Sequence, residues 1–167
     1  MSCLGVLFSL DKVTVDKLKS FPSDEERLDY LQMEIEEEYF NKHPDKLAEL
    51  DKAWDAIHRT LTDGKLEWTN GDYPLNHIIL GGEILYFQQD YIMTLKTPEQ
   101  VKDIFKSFDL VTKESFRDRY FKIDKDLYGS NTTEDDFDYT WTWFSQSREF
   151  WKQATEDNRY VLFTADQ

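Results

Sequence analysis

The sequence predicts a single α+β domain over residues 1–167, with several helices packed on a small sheet that includes the N- and C-terminal strands. Three observations carry that prediction. Apolar runs without helical period open and close the chain, "CLGVLFSL" at 3–10 and "RYVLFTA" at 159–165. Between them, apolar residues recur at steps of three and four in several stretches, and these outnumber the strands. The chain also has 167 residues, 40% of them hydrophobic and 16% aromatic, enough to bury a core without disulfide staples.

The elements follow in order. Residues 3–10 read as a buried strand. "SDEE" then places Glu26 three residues after Ser23, a capping box that opens a long helix. Leu28, Leu31, Ile35 and Tyr39 line one face of it, and the acidic run "EIEEE" at 34–38 covers the solvated sides. "NKHPD" breaks the chain at Pro44. A second long helix is predicted from about 45 to 61, carrying Leu47, Leu50, Trp54, Ile57 and Leu61, with Asp63-Gly64 as its stop. Pro74 suits the first turn of a short helix through Leu80, closed by Gly81-Gly82. "DYIMTLK" at 90–96 reads as a strand, and "TPEQ" starts a helix capped by Thr97, with Val101, Phe105 and Phe108 on its apolar side. A mixed-charge helix around 113–121 and a loop at Tyr128-Gly129 lead to the long closing helix within 132–158. No internal repeat or low-complexity linker divides the chain.

Charge narrows the function classes. A formal net charge of −14 repels phosphate backbones and anionic lipid, so nucleic acid and membranes are not expected partners, whereas a basic protein is. Cys3 stands alone, which suits a reducing cytosol, and the opening "MSCLGVLFSL" lacks the charged start of a signal peptide. The expected compartment is the cytoplasm.

Two constellations draw attention. The first gathers Trp54, Asp55, His58, Tyr73, His77, Gly81 and Gly82 into a short span. At about 100° per residue, His58 falls within the apolar stripe of its helix, one turn after Trp54, with Asp55 at the edge of the same face. Two readings stay open. His58 is a core histidine whose ring nitrogen is held by Asp55 or a carbonyl, or Asp55 orients it as a general base. His77 points away from the Leu75, Ile78 and Ile79 stripe, so a pocket around His58, Asp55, Tyr73 and His77 is the enzymatic alternative. No H-x-x-x-H, H-x-H or paired cysteine marks a ligand set, so no metal or other cofactor is expected. Gly81-Gly82 belongs to no phosphate-loop motif and reads as a helix stop.

The second constellation is the closing helix. Phe137, Trp141, Phe144 and Trp151 share one face, and Tyr139, Trp143 and Phe150 form a second stripe opposite. A surface helix ordinarily buries one stripe. Either this helix runs through the middle of the domain, or the second stripe lines a groove for a ligand or partner.

The stretches "DKAWDAIHRTLTDG", "YPLNHIILGG", "EDDFDYTWTWF" and "VLFTADQ" resemble, in the same order, the YfbM-like family of small bacterial proteins of unknown function. The resemblance spans most of the chain, and its most specific element is the stretch holding Trp54, Asp55 and His58. It implies one α+β domain and no established activity. Some members sit beside polymorphic-toxin genes in the manner of immunity proteins. The expected function is therefore a non-catalytic binding protein, of immunity type if that implication carries over. The alternative is a small-molecule binder or enzyme using the His58 pocket.

Overall fold

Alternation along the first strand sets the architecture. In β1 (Gly5–Leu10), Leu7 joins a core on one face while Val6, Phe8 and Leu10 join a second core on the other. Both faces are therefore covered, and the strand reads as an apolar run broken only by the buried Ser9, although its neighbours are antiparallel. The computed structural model describes residues 3–167. With β2 (Leu47–Asp51), β3 (Glu83–Ile84), β4 (Tyr91–Lys96) and β5 (Tyr160–Asp166), β1 forms an antiparallel sheet of order β2-β1-β5-β4-β3. β1 and β5, far apart in sequence, pair antiparallel within it, with Gly5 opposite Ala165 and Leu10 opposite Tyr160.

Three helices cover one face. These are α1 (Lys12–Ser20), α2 (Asp24–Tyr30) and α3 (Glu37–Lys42), the last two joined by a π-helical stretch over Leu31–Glu36. Ser23 caps α2 as expected, accepting from the Glu26 amide. Leu31, Ile35 and Tyr39 are all buried at steps of four. In a pure α-helix such steps drift by about 40° each, and the wider π turn counters that drift.

The other face carries α4 (Trp54–Leu61), α5 (Pro98–Ser107), α6 (Lys113–Tyr120), the short α7 (Lys125–Tyr128) and the long α8 (Glu134–Glu156). Thr97 and Gln100 close the capping box of α5, and Gly64 takes the positive φ expected of it. Helices thus sandwich the sheet in one α+β unit. Among the described residues no helix is long and apolar enough to cross a membrane.

Two expectations need correction. The helix expected from 45 to 61 is a strand followed by a shorter helix. β1 needs a hydrogen-bonding neighbour on each edge; β5 supplies one, and residues 47–51 supply the other. A step of three in a strand sends Leu47 and Leu50 to opposite faces, and each duly packs against a different core. The short helix expected from Pro74 to Leu80 is a single 3-10 turn, Leu75–His77. The segment after β1, unassigned from its pattern, is α1, capped by Asp11.

Candidate functional site

Trp54 begins α4, and its place is set by close packing. Its indole Nε1 donates to the Cys3 carbonyl at 2.8 Å. A Cβ on Gly5 would lie 2.8 Å from its Cδ1, so only glycine lets the ring settle on β1.

His58 is 1% exposed. Its Nε2 faces the Glu67 carbonyl at 3.0 Å and Asn70 Oδ1 at 2.8 Å. Asn70 Nδ2 donates to Thr62 Oγ1, Asp63 Oδ1 and the Lys65 carbonyl, which fixes the amide so that Oδ1 points at the ring. Both groups facing Nε2 are acceptors, so Nε2 carries the proton. Nδ1 is buried without a protein partner. Burial pushes the imidazole pKa down, only partly offset by the Asn70 and Glu67 bonds. Of the two partners expected for the ring, the backbone carbonyl is present and Asp55 is not. Asp55 instead accepts from Arg59 Nε at 2.6 Å, one turn along the helix. A permanently charged guanidinium within reach takes the carboxylate.

The arrangement ties α4 to the 62–70 loop. Nothing in the local sequence pattern marks Asn70 as the partner of a residue twelve positions away. His58→Ala is expected to cost about 1–3 kcal/mol at neutral pH through the unpaired Asn70 carbonyl oxygen. The lowered histidine pKa sets the sign with pH. The unfolded histidine binds the proton first, so this contribution is fully present above the ordinary value of 6.5. It is lost as pH falls through the folded value. Urea unfolding of both proteins at neutral and mildly acidic pH checks it, and the gap between them narrows on the acid side.

His77 belongs to another neighbourhood. Its Nδ1 meets Asn76 Oδ1 at 2.8 Å, and its ring stands edge-on to Tyr73, centroids 4.9 Å apart. The Tyr73 hydroxyl donates to Asp103 at 2.6 Å, and desolvation followed by that bond pushes its pKa up to about 12. Gly81 and Gly82 serve close approach. A Cβ on Gly81 would lie 2.6 Å from His77 Nδ1, and one on Gly82 (φ +128°) would lie 2.4 Å from the Leu95 carbonyl oxygen. His58 and His77 share no hydrogen-bond partner. None of the five clearest cavities among the described residues is lined by Asp55, His58, Tyr73 or His77. Among those residues no three His, Cys, Asp or Glu side chains stand together as a metal would need.

A groove lies elsewhere, beside the closing helix. Phe137, Phe144 and Trp151 of the first stripe are buried, while Trp141 is half-buried against Phe116 and Phe144. Of the second stripe, Trp143 and Phe150 line a cavity of about 700 Å³. Tyr139, expected with them, does not line it; it packs against the core, and its hydroxyl accepts from the Lys52 amide at 3.1 Å just beyond β2. Leu47 and Ala48 of β2, Pro44 just before that strand and Phe40 of α3 complete the apolar part of the lining. Asp45, Glu49, Glu149 and Asp157 contribute carboxylates, and no Lys, Arg or His lines it. Sequence reasoning supplied the aromatic wall. It missed Phe40 and the β2 floor, because residues 47–51 were read as helix.

Known proteins place the chain. Residues 1–164 match the model of a family described as "Domain of unknown function (DUF1877)". No curated protein matches. Among solved structures, the crystal structure of YfbM from Escherichia coli, a protein of unknown function, is similar. The two share 12% identity over 97% of this chain and 99% of that one, with a TM-score of 0.62, a likeness of fold. The chain belongs to the DUF1877 family and has the YfbM-like α+β fold.

Proposed function

We propose that this protein is a non-catalytic binding protein that captures a basic protein partner in the groove beside α8. One observation carries the reading: an aromatic and aliphatic cleft ringed by four carboxylates and lined by no cation. Trp143, Phe150 and Phe40 supply aromatic contact area, and the Trp143 indole adds a polar tip, as binding surfaces do. The carboxylates and the net charge of −14 steer basic surfaces toward it and turn nucleic acid and anionic membranes away. The finer form of the reading is an immunity protein that neutralises a toxin, acting in the cytoplasm, where Cys3 stays reduced. No observation favours the enzymatic alternative around His58, whose ring sits in a bonded network away from these cavities.

The test is capture from host lysate on immobilised protein, repeated with Trp143→Ala and with Glu149→Lys. The expected result is a basic protein held by the native chain, released by salt, and lost at least tenfold by both variants. Undiminished capture by both would overturn the groove as the site. For the immunity form, co-expression with a toxin encoded beside the gene should restore growth, and the Trp143→Ala chain should not.

A further inference from the structure

The lining of the groove has a geometry that reaches beyond its charge. Leu47, Ala48 and Glu49 all contribute to it, three consecutive residues of one strand. Successive side chains of a strand point to opposite faces, and here Ala48 packs against the core on the α8 side while Leu47 packs against the other. A cavity touched by all three therefore faces the edge of the sheet. Its walls agree. Trp143 and Phe150 come from α8 on one face. Phe40 comes from α3 on the other, its ring 6.1 Å from Phe8. β2 is the terminal strand of the sheet, paired only with β1 among the described residues.

We infer that the groove accepts an extended, basic segment of the partner as an added strand along the free edge of β2. Strand addition gives affinity through main-chain hydrogen bonds and selectivity through alternate side chains. An added strand sends every second side chain toward Trp143 and Phe150, where apolar or aromatic residues fit. Lysine or arginine elsewhere meets Glu49, Glu149 and Asp157. β2 spans five residues, so the added segment pairs over about 16 Å. The occupant is not a second copy of this chain. Carboxylates along an edge strand deter like-charged strands, and at −14 every copy carries the same sign.

The inference rests on the groove reading proposed above, and the experiment separates the two. Short random peptides displayed on phage are selected against the protein, and the best binder is synthesised with single backbone N-methyl groups along its length. The expected binder is rich in Lys or Arg and is lost by Trp143→Ala. N-methylation should weaken it at least tenfold at every second residue and leave the intervening residues unaffected. Binding that needs Trp143 yet shows no alternating N-methyl pattern would overturn strand addition and keep the groove. Binders indifferent to both Trp143→Ala and Glu149→Lys, or no binder at all, would remove both readings.

Discussion

Replacing Trp151 with Ala is expected to cost about 3–5 kcal/mol, the range for emptying a large aromatic from a core. Trp151 is fully buried on the inner stripe of α8. That helix packs on α4, α5, α6 and β2, and Trp151 belongs to the core between them. The backbone around it is held by these contacts and by the sheet, so it can collapse little. Against a typical domain stability of about 5–15 kcal/mol the loss is large. The indole Nε1 has no protein acceptor, so Trp151→Phe sacrifices area but no protein hydrogen bond and should cost much less. Trp143→Ala removes a ring only partly buried against the core, on the second stripe of the same helix, and should cost less than Trp151→Ala. Urea unfolding followed by circular dichroism orders the three. A Trp151→Ala chain as stable as the native one would show that α8 is not the anchor of this face.

The two aromatic stripes of α8 are legible in the sequence; whether the second is core or groove is not. Of the seven aromatic residues on its two faces, Phe137, Phe144, Phe150 and Trp151 are buried in the core, Tyr139, Trp141 and Trp143 pack against it, and Trp143 and Phe150 also line the groove. The terminal strands were equally legible, because apolar runs without helical period fit a sheet covered on both sides. What escaped were features made by distant residues. "LAELD" is built of good helix formers, and the partner that turns it into β2 lies some forty residues earlier in β1. Local propensity loses to such pairing when the central strand would otherwise have an open edge. The misreading hid the floor of the groove, so half of the candidate site was visible and half was not. His58 shows the same limit at smaller scale. Its burial followed from its position on the helix, but its partner Asn70 is delivered by a loop whose path no periodicity records.

Lys96→Met is expected to leave the protein folded and to raise its stability at neutral pH, which would be unusual for removing a hydrogen-bonded residue. Lys96 ends β4, where a lysine would ordinarily reach solvent, yet its side chain is fully buried. Nζ donates to the Ile79 carbonyl at 2.5 Å and to Thr94 Oγ1 at 2.8 Å, and it stands 5.4 Å from the centre of the Phe163 ring. Two donated bonds suit a neutral amine, and burial holds its pKa well below the ordinary 10.5. In the unfolded chain Lys96 keeps its proton up to that ordinary value. Between the folded and unfolded values the unfolded state binds more protons, so native stability rises with pH by up to about 1.4 kcal/mol per unit. The contribution is complete above 10.5 and is lost progressively as pH falls toward the folded value. Methionine has no such proton to lose, and Thr94 Oγ1, which donates to the Ile79 carbonyl at 3.2 Å in the native chain, is expected to keep that carbonyl bonded. The advantage of Lys96→Met should therefore be larger near pH 7 and shrink steadily toward about pH 9.5, short of the ordinary tyrosine range. Paired urea titrations across that interval measure the difference, in which the other titrating groups cancel. A constant difference, or a native chain that gains on the variant as pH falls, would mean that Lys96 keeps its charge inside the fold.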